Sequence, residues 1–384
     1  MSLRICYHGL VFAAILGLAV PLAAGKTPRA SIRVAVFQGL GADPECLSDA
    51  MEALNIDPAI RPEAIRAADI VRGRLKGFAA LVFPGGSGMG QMSSLGSLGQ
   101  KIVADFIRQG GHGAVGLCAG CYMLSDTPDY PCFHLGGMAA IDREHDERGH
   151  GMVRFSPTPD ALRVFPEFQG AESLYMQYYE GPVLVPAPSS QATSLAVLRS
   201  DVHLEHDAPA NLTPGKTFLA WADAGKGRVF LEPGHPENTP GLRWMLPRMV
   251  RWTLRRNLVP YGPAVVRLTR NRAEVLFDAG LRQKERGCFD ELVSEPGKGS
   301  GARKVAAIAA LLEMRSWGAK ERLPGCLRDE AAAVRIAAAE ALVDLEHTAA
   351  RRDLENALAI ERDPAARAVL QRCARSLSGI TQGR

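Results

Sequence analysis

Two short apolar runs, residues 79–83 (AALVF) and 114–117 (AVGL), constrain this chain more than any other feature. The first stops at Pro84-Gly85-Gly86, and the second runs directly into Gly116-Leu117-Cys118-Ala119-Gly120. Runs this short and apolar read as buried strands, and the helical patterns between them make the sheet a parallel one. Residues 32–38 (IRVAVFQ) are a first strand. Residues 45–55 place Leu47, Met51 and Leu54 at helical intervals, and residues 100–109 do the same with Ile102, Val103, Phe106 and Ile107. Gly110-Gly111 closes that second helix. The expectation is an α/β fold with a parallel sheet.

Beyond Asp126 the pattern loosens into shorter strands at 151–155, 172–178, 194–198 and 218–222. The stretch 223–227 (DAGKG) reads as a hairpin turn into a strand at 228–232. A helix follows at about 242–256. This unit is expected to occupy residues 31–261, with a linker at 262–301 that includes the flexible GKGSG stretch 297–301.

Residues 302–378 change character. Arg303, Arg335 and Arg367 recur every 32 residues, each opening an alanine-rich apolar stretch, with Asp329 and Asp363-Pro364 upstream as helix-start residues. A small C-terminal domain of HEAT-like helical repeats is expected, and such repeats offer a surface for a protein partner. The first 25 residues differ again. Arg4 precedes an uncharged run from Gly9 to Gly25 that ends in small side chains, the order of a secretory signal peptide. The protein is therefore expected to be exported, periplasmic or secreted, or held at the membrane by an uncleaved leader.

Among 384 residues the net charge is only +4 and no long Lys/Arg run occurs, so nucleic acid is not an expected partner. The eight cysteines include Cys6 in the leader, which leaves an odd number in a mature chain and at least one thiol unpaired within it.

Cys118 carries the strongest chemical signal. A cysteine flanked by glycines, after a buried strand and before the helical segment 119–124, has the pattern of a nucleophile elbow. A thiolate there is favoured by the partial positive charge of the helix start. Gly85 and Gly86 lie at the same carboxyl edge of the sheet, so their N–H groups and that of Ala119 are candidates for an oxyanion hole. Directly after the strand at 228–232 comes Gly234-His235-Pro236-Glu237. His235 is suited to take the thiol proton and return it to a leaving amine, and Glu237 to fix the imidazole.

Phe83-Pro-Gly-Gly86, Gly116-Leu-Cys-Ala-Gly120 with Tyr122, Tyr178-Tyr-Glu-Gly-Pro182 and Gly234-His-Pro-Glu237 together resemble class I glutamine amidotransferase domains. Among these they most resemble the amidotransferase-like domain found ahead of the catalytic module in some biotin–protein ligases. The resemblance covers about residues 31–257. It implies a flavodoxin-like sheet and a Cys-His-Glu triad at Cys118, His235 and Glu237. Neither a biotin-ligase module nor an ammonia-consuming synthetase pattern follows, so ligase activity is not implied. The implied chemistry is thiol attack on an amide or related carbonyl of a small-molecule or peptide-like substrate, with no cofactor and no metal.

Two alternatives stay open. The α/β unit could be catalytically silent, with the repeats binding a partner at the cell envelope. Cys118 and Cys121 also form a C-x-x-C pair, so thiol–disulfide exchange is a rival activity. Asp201, His203, His206 and Asp207, and His145 with His150, cluster possible ligands but read as solvated loops.

Overall fold

The computed structural model of the chain describes residues 31–380, apart from 142–147, 189, 205–207, 296 and 298. The expected leader, His145, His206 and Asp207 lie outside the described residues. Among those described, no helix is long and apolar enough to cross a membrane.

The first half alternates strand and helix: β1 (Ile32–Phe37), α1 (Pro44–Leu54), β2 (Ile60–Ile65), α2 (Ala67–Val71), β3 (Ala80–Phe83), α3 (Gly88–Arg108), β4 (Gly113–Leu117) and α4 (Ala119–Leu124). Short strands follow, β5 (Met138–Ala140), β6 (His150–Pro157), β7 (Leu174–Tyr179), β8 (Leu184–Pro186) and β9 (Thr193–Leu198). The α/β part then closes with β10 (Thr217–Ala224), β11 (Gly227–Glu232) and α5 (Met245–Thr253). The strands form one sheet whose order runs β2-β1-β3-β4-β11-β10-β9-β6. From β2 to β11 the pairs are parallel, and from β11 onward they are antiparallel. All residues of β3 and β4 are buried, as expected of central strands covered on both faces.

Strand β2 was not legible, because Pro62 stands in its middle. It pairs only with β1, at the sheet edge, where a missing N–H costs no ladder bond. Helix α3 begins at Gly88, well before the expected residue 100. Its glycine-rich first half masks the apolar period, and Gly96, at φ 61° and ψ 169°, breaks it into two segments. Ser87 caps it by accepting the Gly90 N–H.

The stretch expected as a linker is structured. β12 (Val275–Leu276) joins the sheet against β6, and α6 (Ala279–Leu292) follows. A two-residue strand has no visible period, and α6 buries only Leu292 fully, so neither left an apolar signature. Helices α7 (Ser300–Glu313), α8 (Ala319–Cys326), α9 (Ala332–Asp344), α10 (Arg351–Ile360) and α11 (Pro364–Ile380) complete the chain. α7 packs on α9 and α9 on α11. Arg303, Arg335 and Arg367 each fall three residues after the start of α7, α9 and α11, so the 32-residue spacing marks equivalent helical positions.

These helices are fastened to the α/β part by buried polar contacts. Lys320 Nζ meets Asp49 Oδ1 of α1 at 3.0 Å. Arg243 joins Glu52 Oε2 at 2.9 Å and also reaches the Glu346 carbonyl. The Gly241 N–H donates to Glu346 Oε1 at 2.9 Å, and Gln177 Nε2 donates to the Arg315 carbonyl at 2.7 Å. Burial pushes the Glu52 carboxyl up, but Arg243, Thr348 and Lys320 outweigh it and hold it below its ordinary value. His347 is pushed down to about 4, first by burial and then by Lys320.

A histidine held neutral in the fold destabilises it once the unfolded chain can take up a proton. Stability is therefore expected to be complete above about pH 6.5 and to fall as pH drops toward 4, by up to about 3 kcal/mol from His347 alone. Urea titrations at pH 7 and pH 4.5 of wild type and His347→Gln check this. A variant with an unchanged pH slope would contradict the assignment.

Candidate active site

Cys118 joins β4 to α4 with φ 48° and ψ −106°, a conformation that L-residues rarely hold. Its neighbours explain why the chain tolerates this. A Cβ on Gly120 would sit 2.2 Å from the Phe83 carbonyl oxygen at the end of β3. A Cβ on Gly116 would sit 2.2 Å from the Gly120 carbonyl oxygen. The turn folds onto itself and onto β3 so closely that only glycine fits on both sides. The strain at Cys118 is of order 1–3 kcal/mol, held by the packed strands around it. Its N–H donates to the Glu232 carbonyl at 2.8 Å, which locks the elbow to β11. The thiol reaches the Tyr179 carbonyl at 3.2 Å.

β11 delivers the second group. His235 follows it by three residues and is fixed by its N–H to the Gln177 carbonyl at 2.8 Å. His235 Nδ1 lies 2.7 Å from Glu237 Oε1. An ionised carboxylate only accepts, so Nδ1 carries the proton and Nε2 is free to take one. Nε2 is buried and makes no hydrogen bond among the described residues. Burial works against the imidazolium, yet the charges of Cys118 and Glu237 and the thiols of Cys118 and Cys46 more than offset it. His235 is held well above its usual value. A nearby carboxylate and thiol thus favour the cationic imidazole despite its burial.

Three side chains that sequence reasoning missed complete the surroundings. Cys46, at the start of α1, lies against the same imidazole; a Cβ on Gly85 would be 2.8 Å from both Cys46 Sγ and His235 Cε1. Burial pushes its thiol up to about 12, so it stays neutral. The Glu232 carboxyl is also held well above its ordinary value, first by burial and then by Glu237, although the Gly234 N–H bonds it at 2.9 Å. Trp317, between α7 and α8, meets the His235 ring edge-on at 4.5 Å and 90°. Cys46 and Trp317 carried no motif, since only the fold brings them to this histidine.

Ligand atoms of Cys46, His235 and Glu237 lie within 4.8 Å of one another. Tetrahedral ligands about 2.0 Å from an ion stand roughly 3.3 Å apart. The 2.7 Å between His235 and Glu237 is a hydrogen-bond separation instead. Asp49, Glu52 and His347 form a second such group, in which Lys320 already pairs with Asp49 and both Arg243 and Thr348 bond Glu52 Oε2. His203 Nδ1 and Asp201 Oδ2 pair at 3.1 Å within their own loop, and His150 stacks on Tyr179 and Phe277. Cys121 is fully buried in the core cluster with Phe83 and Ala114, and burial holds its thiol well above the ordinary value.

A cleft of about 710 Å³ opens over this cluster. Cys118, Ala119, Gly86 and His235 line its floor, Tyr122, Tyr130 and Tyr179 its sides, and residues of α6 with Trp317 its outer wall. Among the described residues the N–H groups of Gly85, Gly86 and Ala119 make no hydrogen bond. Gly86 has φ +119°, and a Cβ there would lie 2.2 Å from the Gly41 carbonyl oxygen.

With the fold and cleft in view, the chain can be set beside known proteins. Residues 32–135 match the family model described as "Biotin-protein ligase, N terminal". No protein of curated function matches the chain. Solved structures similar at low identity include the following three. A putative ThuA-like protein from Bacteroides uniformis is 13% identical with a TM-score of 0.42, over 61% of this chain and 95% of that one. The glutaminase domain of Trypanosoma brucei CTPS with bound acivicin is 10% identical with a TM-score of 0.39, over 60% and 96%. A β-galactosidase from Bacillus circulans sp. alkalophilus is 15% identical with a TM-score of 0.35, over 59% of this chain; the match spans 31% of that enzyme's length. Residues 32–135 thus match a biotin–protein ligase N-terminal model within an α/β region that is followed by a helical one.

If the elbow is as tight as these contacts require, Gly120→Ala should destabilise the protein by roughly 2–3 kcal/mol, in the upper range of overpacking changes. Chemical denaturation measures it. A loss below about 1 kcal/mol would mean that the turn has room to relax.

Proposed function

We propose that the protein is an exported cysteine-dependent hydrolase or amidotransferase-like enzyme, in which Cys118, His235 and Glu237 attack an amide or related carbonyl. The observation that carries this reading is the buried chain of contacts from Glu237 through His235 toward Cys118, beside three N–H groups with no hydrogen bond among the described residues. The Cys118 thiolate adds to the carbonyl carbon, forming the C–S bond while the carbonyl π electrons move to oxygen. The N–H groups of Ala119, Gly85 and Gly86 are the candidates to receive that oxyanion. One such donor is typically worth ~3–4 kcal/mol in the transition state.

Imidazolium Nε2–H then protonates the departing amine as the C–N bond breaks, leaving a thioester on Cys118. In the second half, His235 takes a proton from water, the hydroxide adds to the thioester, and the thiolate leaves. The same geometry serves transfer if an amine or alcohol replaces the water. Glu237 holds the imidazole tautomer and stabilises its cation throughout. Cys46 remains a neutral thiol beside the ring, and the burial of Cys121 weighs against a working dithiol.

The leader order at residues 1–25 supports export to a periplasmic or secreted location. Reading the C-terminal helices as HEAT-like repeats is supported by the equivalent positions of Arg303, Arg335 and Arg367 in successive packed helices. Their place beside the cleft gives them a part in the reaction site as well as a surface for a protein partner.

The test is alkylation of the full chain by iodoacetamide, followed on the Cys118 peptide. Near neutral pH, Cys118 should react at least about tenfold faster than glutathione, and His235→Ala should remove most of that excess. Glu237→Gln should give a smaller loss, since it alters orientation without removing the base. A Cys118 that reacts no faster than glutathione, or is indifferent to His235, would sink the reading.

A further inference from the structure

The outer wall of the cleft comes from outside the matched region. Arg282, Glu285, Arg286 and Phe289 line it, and their spacing of i, i+3, i+4 and i+7 places them on one face of α6. Trp317 and Gly318 extend that wall from the turn after α7. The wall is built, not incidental. Ser316 donates its hydroxyl to Glu285 at 2.5 Å, which ties α6 to the turn that carries Trp317. Arg322 lies over the Phe289 ring at 3.9 Å, and a Cβ on Gly318 would meet that ring at 3.2 Å. Trp317 also meets Tyr179 edge-on at 6.2 Å, so the same turn touches both the thiol's neighbour and the imidazole.

The charges along this wall are unequal in their commitments. Glu285 accepts the Ser316 hydroxyl, and Arg282 and Glu180 each have partners of their own. Asp43 Oδ1 accepts the N–H groups of Glu45 and Cys46 at the head of α1. Glu45 stands in the first turn of that helix, where a carboxylate is favoured by the helix dipole. Arg286 is different. Its guanidinium is exposed at the cleft and makes no ion pair or hydrogen bond among the described residues.

We propose that the helical C-terminal region is the substrate-selecting wall of the Cys118 cleft, and that Arg286 reads an anionic group on the substrate, a carboxylate in its simplest form, remote from the attacked carbonyl. This rests on the hydrolase reading above and narrows it to amides or esters that carry a negative charge. A guanidinium suits the task because its planar fork bonds a carboxylate through two parallel N–H groups.

Two alkylating probes of nearly equal size and opposite suitability test it: iodoacetate, an anion, and iodoacetamide, which is neutral. The quantity read is the ratio of their rates at Cys118 in the full chain, divided by the same ratio for glutathione. Arg286→Glu should lower this normalised ratio roughly five- to tenfold, the order expected when one charge lining a wet cleft is reversed. Arg286→Lys should keep it within about twofold of wild type, because the charge survives. Arg375→Glu, on exposed α11 and outside the cleft, should leave it unchanged although the net charge shifts equally. A ratio indifferent to Arg286→Glu, or one moved as far by Arg375→Glu, overturns the inference and leaves the hydrolase reading standing. A wild-type Cys118 no more reactive with iodoacetamide than glutathione overturns both.

Discussion

The carbonyl oxygens of Phe83 and Gly120 sit where side chains of Gly120 and Gly116 would have to go, and this close approach governs the rest of the site. It lets β4 turn into α4 within one residue, with Cys118 carrying the unfavourable backbone angles. The elbow can be held only because β3, β4 and β11 are locked in parallel register, with the Glu232 carbonyl taking the Cys118 N–H. A sheet ladder, over-determined by many bonds, keeps one residue in a conformation it would not adopt alone. The same register brings the chain after β11 back to the sheet edge where the thiol points, so His235 arrives without a separate device.

What that register achieves chemically is a buried pair of opposite charges. Taking His235 out of water penalises its cation, and burying Glu237 alone would penalise its anion. The 2.7 Å contact between them, together with the thiol, reverses the first penalty. The neighbouring Cys46 and Glu232 show the other outcome of the same burial. Both lie near His235, yet burial outweighs that help and pushes each toward its neutral form. Burial in one site thus leaves the imidazole raised while the Cys46 thiol and the Glu232 carboxyl are pushed toward neutrality.

Much of this was legible in the sequence for a physical reason. Buried parallel strands must be short and apolar, and the glycines of a tight elbow must be glycines, so 79–83, 114–120 and 234–237 left direct marks. The match at 32–135 takes in the first two of these stretches. Features governed by tertiary context left none. Pro62 concealed β2, because edge strands forgive what central strands forbid. Cys46 looked like any helix residue, and its place beside His235 depends on where α1 packs. The region 262–301 read as a linker because α6 is mostly exposed and polar, with its informative face turned to a cleft and not to a core.

The two parts of the molecule are fastened together at several buried points. A helical region attached by a flexible joint would contribute nothing to a thiol on the sheet. Here it is pinned by Lys320 to Asp49, by Glu346 to Gly241 and Arg267, and by the Arg315 carbonyl to Gln177. Gln177 also accepts the His235 N–H through its own carbonyl. One residue of β7 therefore holds the imidazole with its backbone and the turn leading to Trp317 with its side chain. The turn leading to Trp317 and the imidazole thus share an anchor on β7. Under the proposed function the α/β part supplies the reacting groups, and α6 with Trp317 bounds the cleft over them.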